Sequence, residues 1–272
     1  MKNLPIGIQT FSKLREGNFY YVDKTEFVHR LATQSGGYYF LSRPRRFGKS
    51  LFLSTLKSAF MGKKELFKGL YLEHNWDWSK KHPVIHISFG AGVTKDADEL
   101  RRSIFYILKN NQEDLGVKCH EINDFKPCLS ELIKLAYQKY NKKVVILIDE
   151  YDKPILDQIN KPEIAIEIRD ELKNFYSVVK DSDEYLEFVF LTGVSKFSKV
   201  SLFSGLNNLE DITLDQHYSS ICGYTQNELE TVFKEKLKDV DLTKLKEWYN
   251  GYNFLGEGVY NPFAILLYAL PG

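Results

Sequence analysis

The sequence predicts an α/β protein built on a mainly parallel sheet, and three observations predict it. Short β-branched and aromatic runs alternate with longer stretches whose apolar residues recur at three and four, the pattern of crossover units. The short runs are continuously apolar, as strands covered on both faces require. The 272 residues, 43% hydrophobic and 14% aromatic, supply a sizeable core, enough for one large domain or a core domain with a smaller appendage.

Taken in order, the strand runs are Tyr38-Tyr39-Phe40-Leu41, Val84 to Phe89, Val144 to Ile148 and Leu186 to Leu191, with a weaker one near Ile212-Thr213-Leu214. Helical spacing covers Lys24 to Thr33, Ser50 to Met61, Asp96 to Asn111, Leu129 to Tyr140 and Glu163 to Lys180. On the second helix Leu51, Phe52, Leu56, Phe60 and Met61 fall on a sheet-facing side. After residue 220 the pattern changes. Thr225-Gln226-Asn227-Glu228 has the form of a capping box opening a helix over Leu229 to Leu237. The expected organisation is a core over 1–220 and a small helical lid over 221–272. Trp248, Tyr249, Tyr252, Phe254 and Tyr260, split by Gly251, Gly256 and Gly258, are suited to seal a small helical core, with base stacking as the alternative. The stop at Leu270-Pro271-Gly272, just after the apolar stretch Phe263 to Leu270, reads as a chain cut short.

Composition removes several function classes. Thirty-seven Lys plus Arg against 36 Asp plus Glu leave a formal charge of +1, so no whole-chain field attracts nucleic acid or anionic lipid. The start has no long apolar leader and no stretch reaches the length of a spanning helix, which predicts a cytoplasmic protein with no membrane partner. Cys119, Cys128 and Cys222 are odd in number and lack CxxC spacing, against a disulfide framework or a thiolate zinc site. His82 and His86 share the i, i+4 spacing of a helical metal pair. Pro83 and the run Val84-Ile85-His86-Ile87 make that segment a strand entry, so packing is expected instead. Lys234, Lys236 and Lys238, interleaved with Glu235 and Asp239, read as a solvated helix face.

Three segments carry chemistry. Arg43-Pro44-Arg45-Arg46-Phe47-Gly48-Lys49-Ser50 follows the first strand and opens a helix. A phosphate-binding loop needs successive backbone N–H groups, a glycine where a side chain would collide, a lysine for the β and γ oxygens and a hydroxyl for magnesium. Gly48, Lys49 and Ser50 meet the last three demands, and Arg45, Arg46, Phe47 and Leu51 complete the candidate nucleotide contacts. Arg43 stands where the first glycine of G-x-x-x-x-G-K-[ST] is usual, so the loop must turn differently at its start. Its three arginines form a cationic concavity for nucleotide phosphate, with a solvated or nucleic-acid-binding patch as the alternative.

The second segment, Val144-Val145-Ile146-Leu147-Ile148-Asp149-Glu150, has a Walker B pattern. A buried parallel strand delivers Asp149 to its carboxyl end, where it is expected to join Ser50 around magnesium, and Glu150 beside it to activate water. The third, Phe188 to Ser195, is a strand followed by small polar residues, with Thr192 and Ser195 as candidate sensors of the γ-phosphate. Lys196 and Lys199 are weaker candidates for the charge of an arginine finger.

With these residues in hand, the chain resembles the AAA-ATPase-like family of bacterial proteins. The resemblance runs through Gly7 to Phe11, Tyr20 to Thr25, Arg43 to Ser50, Leu147 to Asp152, Thr192 to Ser198, Phe203 to Asn208, Gly223-Tyr224-Thr225, Tyr249 to Tyr252 and Val259 to Pro262. It implies a P-loop NTPase core of the additional-strand class, sheet order 5-1-4-3-2, a helical lid, and an Arg-Pro-Arg-Arg loop in which Arg43 is familial. It also implies a common C-terminal partner domain similar to PD-(D/E)xK nucleases, through which nucleic acid would enter. By position, Tyr21, Asp23 and Lys24 fall near the nucleotide.

The expectation is an ATP-binding, Mg-dependent ATPase acting as a switch for a partner, a further domain or another subunit of an oligomer. Two alternatives stay open: a nucleotide-gated interaction module with little or no hydrolysis, and a nucleic-acid binder using Arg43, Arg45, Arg46, Arg101 and Arg102. A P-loop kinase is a weaker one, since Asp149-Glu150 places a base for water and no acceptor pocket is evident.

Overall fold

The structure, a computed structural model, describes residues 2–34, 37–120, 124–196, 206, 208–238, 240–249 and 251–269. The chain divides into two compact units: Ser35–Ser42 with Lys80–Glu210, and Met1–Gln34 with Arg43–Ser79 and Asp211–Gly272.

The first unit carries the sheet. Strands β1 (Tyr38–Ser42), β2 (Val84–Ser88), β3 (Val144–Asp149) and β4 (Leu186–Gly193) pair in parallel, and every residue of β1 and β3 is buried. With the two-residue β5 (Glu210–Asp211) the order is β2-β3-β4-β1-β5, which counted from the β5 edge reads 5-1-4-3-2. The apolar run predicts this last strand slightly later, near 212–214. Asp211 Oδ1 accepts from the Thr213 amide at 3.0 Å, an Asx turn that ends the strand before that run.

One face of this sheet packs against three helices: α4 (Ala97–Leu115), α5 (Phe125–Tyr140) and α7 (Pro162–Asp181). The cluster joins Ile85, Ile87, Ile146 and Ile148 of the sheet to Leu100, Ile104 and Leu108 of α4, to Leu132 of α5 and to Leu172 and Phe175 of α7. Helix α4 runs past the expected end at Asn111, to the left-handed cap at Gly116. Asn111 is buried, and its side chain donates to the His86 carbonyl and accepts from the His86 amide, both at 2.8 Å. These bonds engage the backbone of β2, an edge strand. Helix α5 starts one turn before the expected Leu129, because Asp124 caps it by accepting from the Lys126 amide at 2.9 Å. Periodicity does not predict the short α6 (Lys153–Leu156).

The second unit is helical. It holds α1 (Phe11–Glu16), α2 (Thr25–Thr33), α3 (Lys49–Phe60), α8 (Gln226–Val232), α9 (Leu242–Tyr249) and α10 (Pro262–Tyr268). Residues 221–272, expected as a lid, lie in the same compact unit as 1–34 and 43–79. One core joins Tyr20 and Val22 to Leu229, Phe233, Leu245, Tyr260 and Ile265. The capping box forms as expected: Thr225 Oγ1 accepts from the Glu228 amide and Glu228 accepts from the Thr225 amide at 2.8 Å. The helix nevertheless ends at Val232, short of Leu237. On α3, Phe52, Leu56 and Phe60 are buried as expected and Leu51 is partly buried, whereas Met61 is 38% exposed, beyond the last helical turn.

Candidate functional site

The loop before α3 is built around two backbone choices. Gly48 is the N-cap of α3 with φ +97°, a left-handed conformation that favours glycine. A Cβ there would meet nothing within 4 Å, so conformation and not crowding calls for glycine. Arg46 also has positive φ, +61°, which turns the loop sharply just before it. Lys49 is buried, and its Nζ donates to the carbonyls of Arg43 and Pro44 at 2.9 Å each, so the ammonium lies over the loop it follows. Ser50 is partly buried in the first turn of a 12-residue helix whose unpaired amides face anions favourably.

Arg43 is not a phosphate ligand in this arrangement. It is 1% exposed and donates to the carbonyls of Thr213 and Tyr218 at 2.8 and 3.0 Å. Its guanidinium lies 3.7 Å from the Phe254 ring centroid, and burial lowers its pKa to about 10. The side chain therefore fixes the start of the loop by tethering it to residues 213–254. Phe47 is fully buried, with the rings of Tyr252 and Phe254 at 4.9 and 5.8 Å, so its contribution to a ligand is limited to its backbone. Arg45 and Arg46 are exposed, and Arg46 lies 4.3 Å from the Phe263 ring centroid. The expected aromatic core is thus divided: Tyr260 is buried in it, Tyr252 and Phe254 flank the loop, and Trp248 is 80% exposed.

The acidic strand end is a separate construction in the sheet unit. Asp149 is buried at the end of β3, where its Oδ1 accepts from Thr192 Oγ1 at 2.7 Å and from the Glu150 amide at 3.0 Å. Asp149 Oδ2 has no hydrogen bond from a described residue. Glu150 has φ +53°, rare for a residue with a side chain, and its carboxylate lies beside Gly90, where a Cβ would sit 3.1 Å from Oε2.

Asp152, to which the sequence assigns no role, is 1% exposed, and its Oδ2 accepts from the amides of Val194 and Ser195 at 3.0 and 2.6 Å. Tyr151 reinforces this: its amide donates to the Thr192 carbonyl at 3.0 Å and its hydroxyl to the Ser195 carbonyl at 2.9 Å. Thr192 is fully buried with its hydroxyl given to Asp149, and Ser195 is held through its backbone. The only sequence signal for Asp152 is a further carboxylate shortly beyond Asp149. Among the weaker candidates, Lys196 is exposed and Lys199 lies outside the described residues. Asp23, placed near the nucleotide by position, instead accepts from the amides of Thr25 and Tyr71.

His86 lies on β2, and among the described residues no group of three or more His, Cys, Asp or Glu is placed to hold a metal. No helix among them is long and apolar enough to cross a membrane. Arg101 is paired with Asp98 and Glu171, at 2.6 and 2.5 Å, which with the burial of Arg43 weakens the arginine set considered for nucleic acid.

This is an α/β protein with a parallel sheet of P-loop-like form. A family model described as Predicted AAA-ATPase matches residues 5–203, and the chain belongs to that family. Membership supports nucleotide use, and ATP binding in general. The chain is 55% identical over 267 residues to a protein of Azotobacter chroococcum mcd 1 described as "Uncharacterized protein in vnfD 5'region". That match covers 98% of this chain and 51% of the relative, so the chain spans about half the length of the curated relative it matches.

Proposed function

We propose that the chain is a P-loop NTPase of the additional-strand class that binds ATP with magnesium and hydrolyses it as a switch for a partner or a further domain. The observation that carries this reading is the start of α3: a left-handed Gly48, a buried Lys49 with its ammonium over the loop carbonyls, and Ser50 in the first turn. On binding, Lys49 would exchange those carbonyls for phosphate oxygens, and the first amides of α3 would hold the same anion. Ser50 and Asp149 are the residues proposed to hold magnesium, which supplies neutralisation of phosphate charge. The unbonded Oδ2 of Asp149 suits an outer-shell role, since Oδ1 is already fixed by Thr192. Glu150 is the proposed base for water, and its positive φ separates its side chain from the run of β3.

The test is a pair of variants. Glu150→Gln is expected to retain ATP binding and lose turnover by at least about a hundredfold, the scale of general-base catalysis. Lys49→Ala is expected to weaken both. Turnover unchanged in Glu150→Gln would reject the assignment.

A nucleotide-gated interaction module with little hydrolysis is the second reading. It is favoured by the Thr192 hydroxyl being given to Asp149, which leaves that candidate sensor engaged. Phosphate release measured across protein concentrations separates the two: a rate per subunit that rises with concentration indicates a finger supplied in trans, and none at any concentration supports the module.

A further inference from the structure

The helical unit contains a cavity of about 60 Å³ beside the start of α3. By the measure that assigns one water roughly 10–15 Å³, it has room for about four to six waters. Gly48, Leu51, Phe52 and Thr55 form one wall. They lie on one face of α3 and span about 10 Å of helix axis, from the turn proposed to hold phosphate to two turns along. The N-terminal segment supplies Tyr20, Tyr21 and Lys24, and the segment after residue 220 supplies Cys222, Gly223 and Tyr224. Gly223, at φ +93°, closes tightly on its neighbours: a Cβ there would lie 2.7 Å from the Phe47 ring.

We propose that this cavity is the base pocket of the nucleotide site and that it selects adenine over guanine. The inference rests on the phosphate-loop reading above. An apolar, aromatic lining with a few polar groups is the usual form of a heterocycle site. Among the described residues, no carboxylate lines the cavity. Glu228 is committed elsewhere, Oε1 to Lys24 at 2.5 Å and Oε2 to the Thr225 amide at 2.8 Å. Guanine would therefore bury its N1–H and 2-amino donors without a carboxylate to accept them, whereas adenine brings fewer donors and the same stacking area. Burial lowers the Lys24 pKa and raises those of Tyr21 and Tyr224, so the tyrosines stay neutral.

The experiment is calorimetric titration of the chain with ATP, GTP and inorganic tripolyphosphate, each with magnesium, together with competition by adenosine. ATP is expected to bind at least about tenfold tighter than either of the others, and adenosine to displace it. Cys222→Phe, which adds a ring at the cavity wall, is expected to weaken ATP at least about tenfold and to leave tripolyphosphate within about twofold. Equal affinities for all three ligands without competition by adenosine would overturn the base pocket while leaving the phosphate loop intact. GTP binding as tightly as ATP would overturn the selectivity. Tripolyphosphate binding that is absent, or indifferent to Lys49→Ala, would overturn the phosphate-loop reading and the pocket with it. If Cys222→Phe does not fold, the wild-type affinities and the adenosine competition decide.

Discussion

The loop before α3 and the acidic end of β3 both keep charged groups out of water, yet they are held in different ways. At the loop, the tethers come from far along the chain: Arg43 reaches the carbonyls of Thr213 and Tyr218, and its guanidinium lies over Phe254. At the acidic end, the bonds join a strand end to the neighbouring strand: Asp149 to Thr192, and Asp152 to Val194 and Ser195. The loop is therefore sensitive to whatever moves residues 211–263, whereas the acidic end is fixed by its own sheet. A nucleotide switch needs both properties, one end that reports and one that stays in place.

The largest expected effect comes from replacing Arg43 with the residue usual in phosphate loops. Arg43→Gly removes two charge-assisted bonds to carbonyls and a cation–π contact, and opens a buried volume. A stability loss of about 3 kcal/mol is expected from urea unfolding, together with weaker ATP binding. A variant within about 1 kcal/mol of wild type would show that the tether does not matter and would break the comparison at its first term.

The acidic end should lose slightly less and lose it locally. Asp152→Ala leaves the amides of Val194 and Ser195 without their acceptor, at a cost of about 2–3 kcal/mol. Hydrogen exchange should accelerate at those two amides before it does elsewhere in the sheet. Faster exchange at Gly48 and Lys49 instead would mean that the two regions are not held independently.

The sequence is most legible where one local pattern decides the outcome. Strands β1 to β4 fall within two residues of their apolar runs, and the Thr225–Glu228 box forms because both partners lie within one turn. It is least legible where a side chain or a cap overrides periodicity. Asp211 stops β5 ahead of its apolar run, Asp124 starts α5 early, and Asn111 continues inside α4 because its amide is used on β2. In the candidate site, spacing alone marks Gly48, Lys49 and Asp149. It cannot mark the burial of Arg43, since the partners lie 170 and 175 residues away. The same holds for Phe254, whose ring has no local reason to meet an arginine.

The smallest expected effect isolates that ring. Phe254→Leu keeps an apolar side chain over Arg43 and removes the π face, so it should cost about 1 kcal/mol, the range of a partly desolvated cation–π pair. Combined with Arg43→Gly, it should add little, because the partner of the ring is already gone. A double-mutant cycle measures this directly. Full additivity would mean that Phe254 acts through Phe47, whose ring lies 5.8 Å away, and that the loop is held by apolar packing more than by the buried cation.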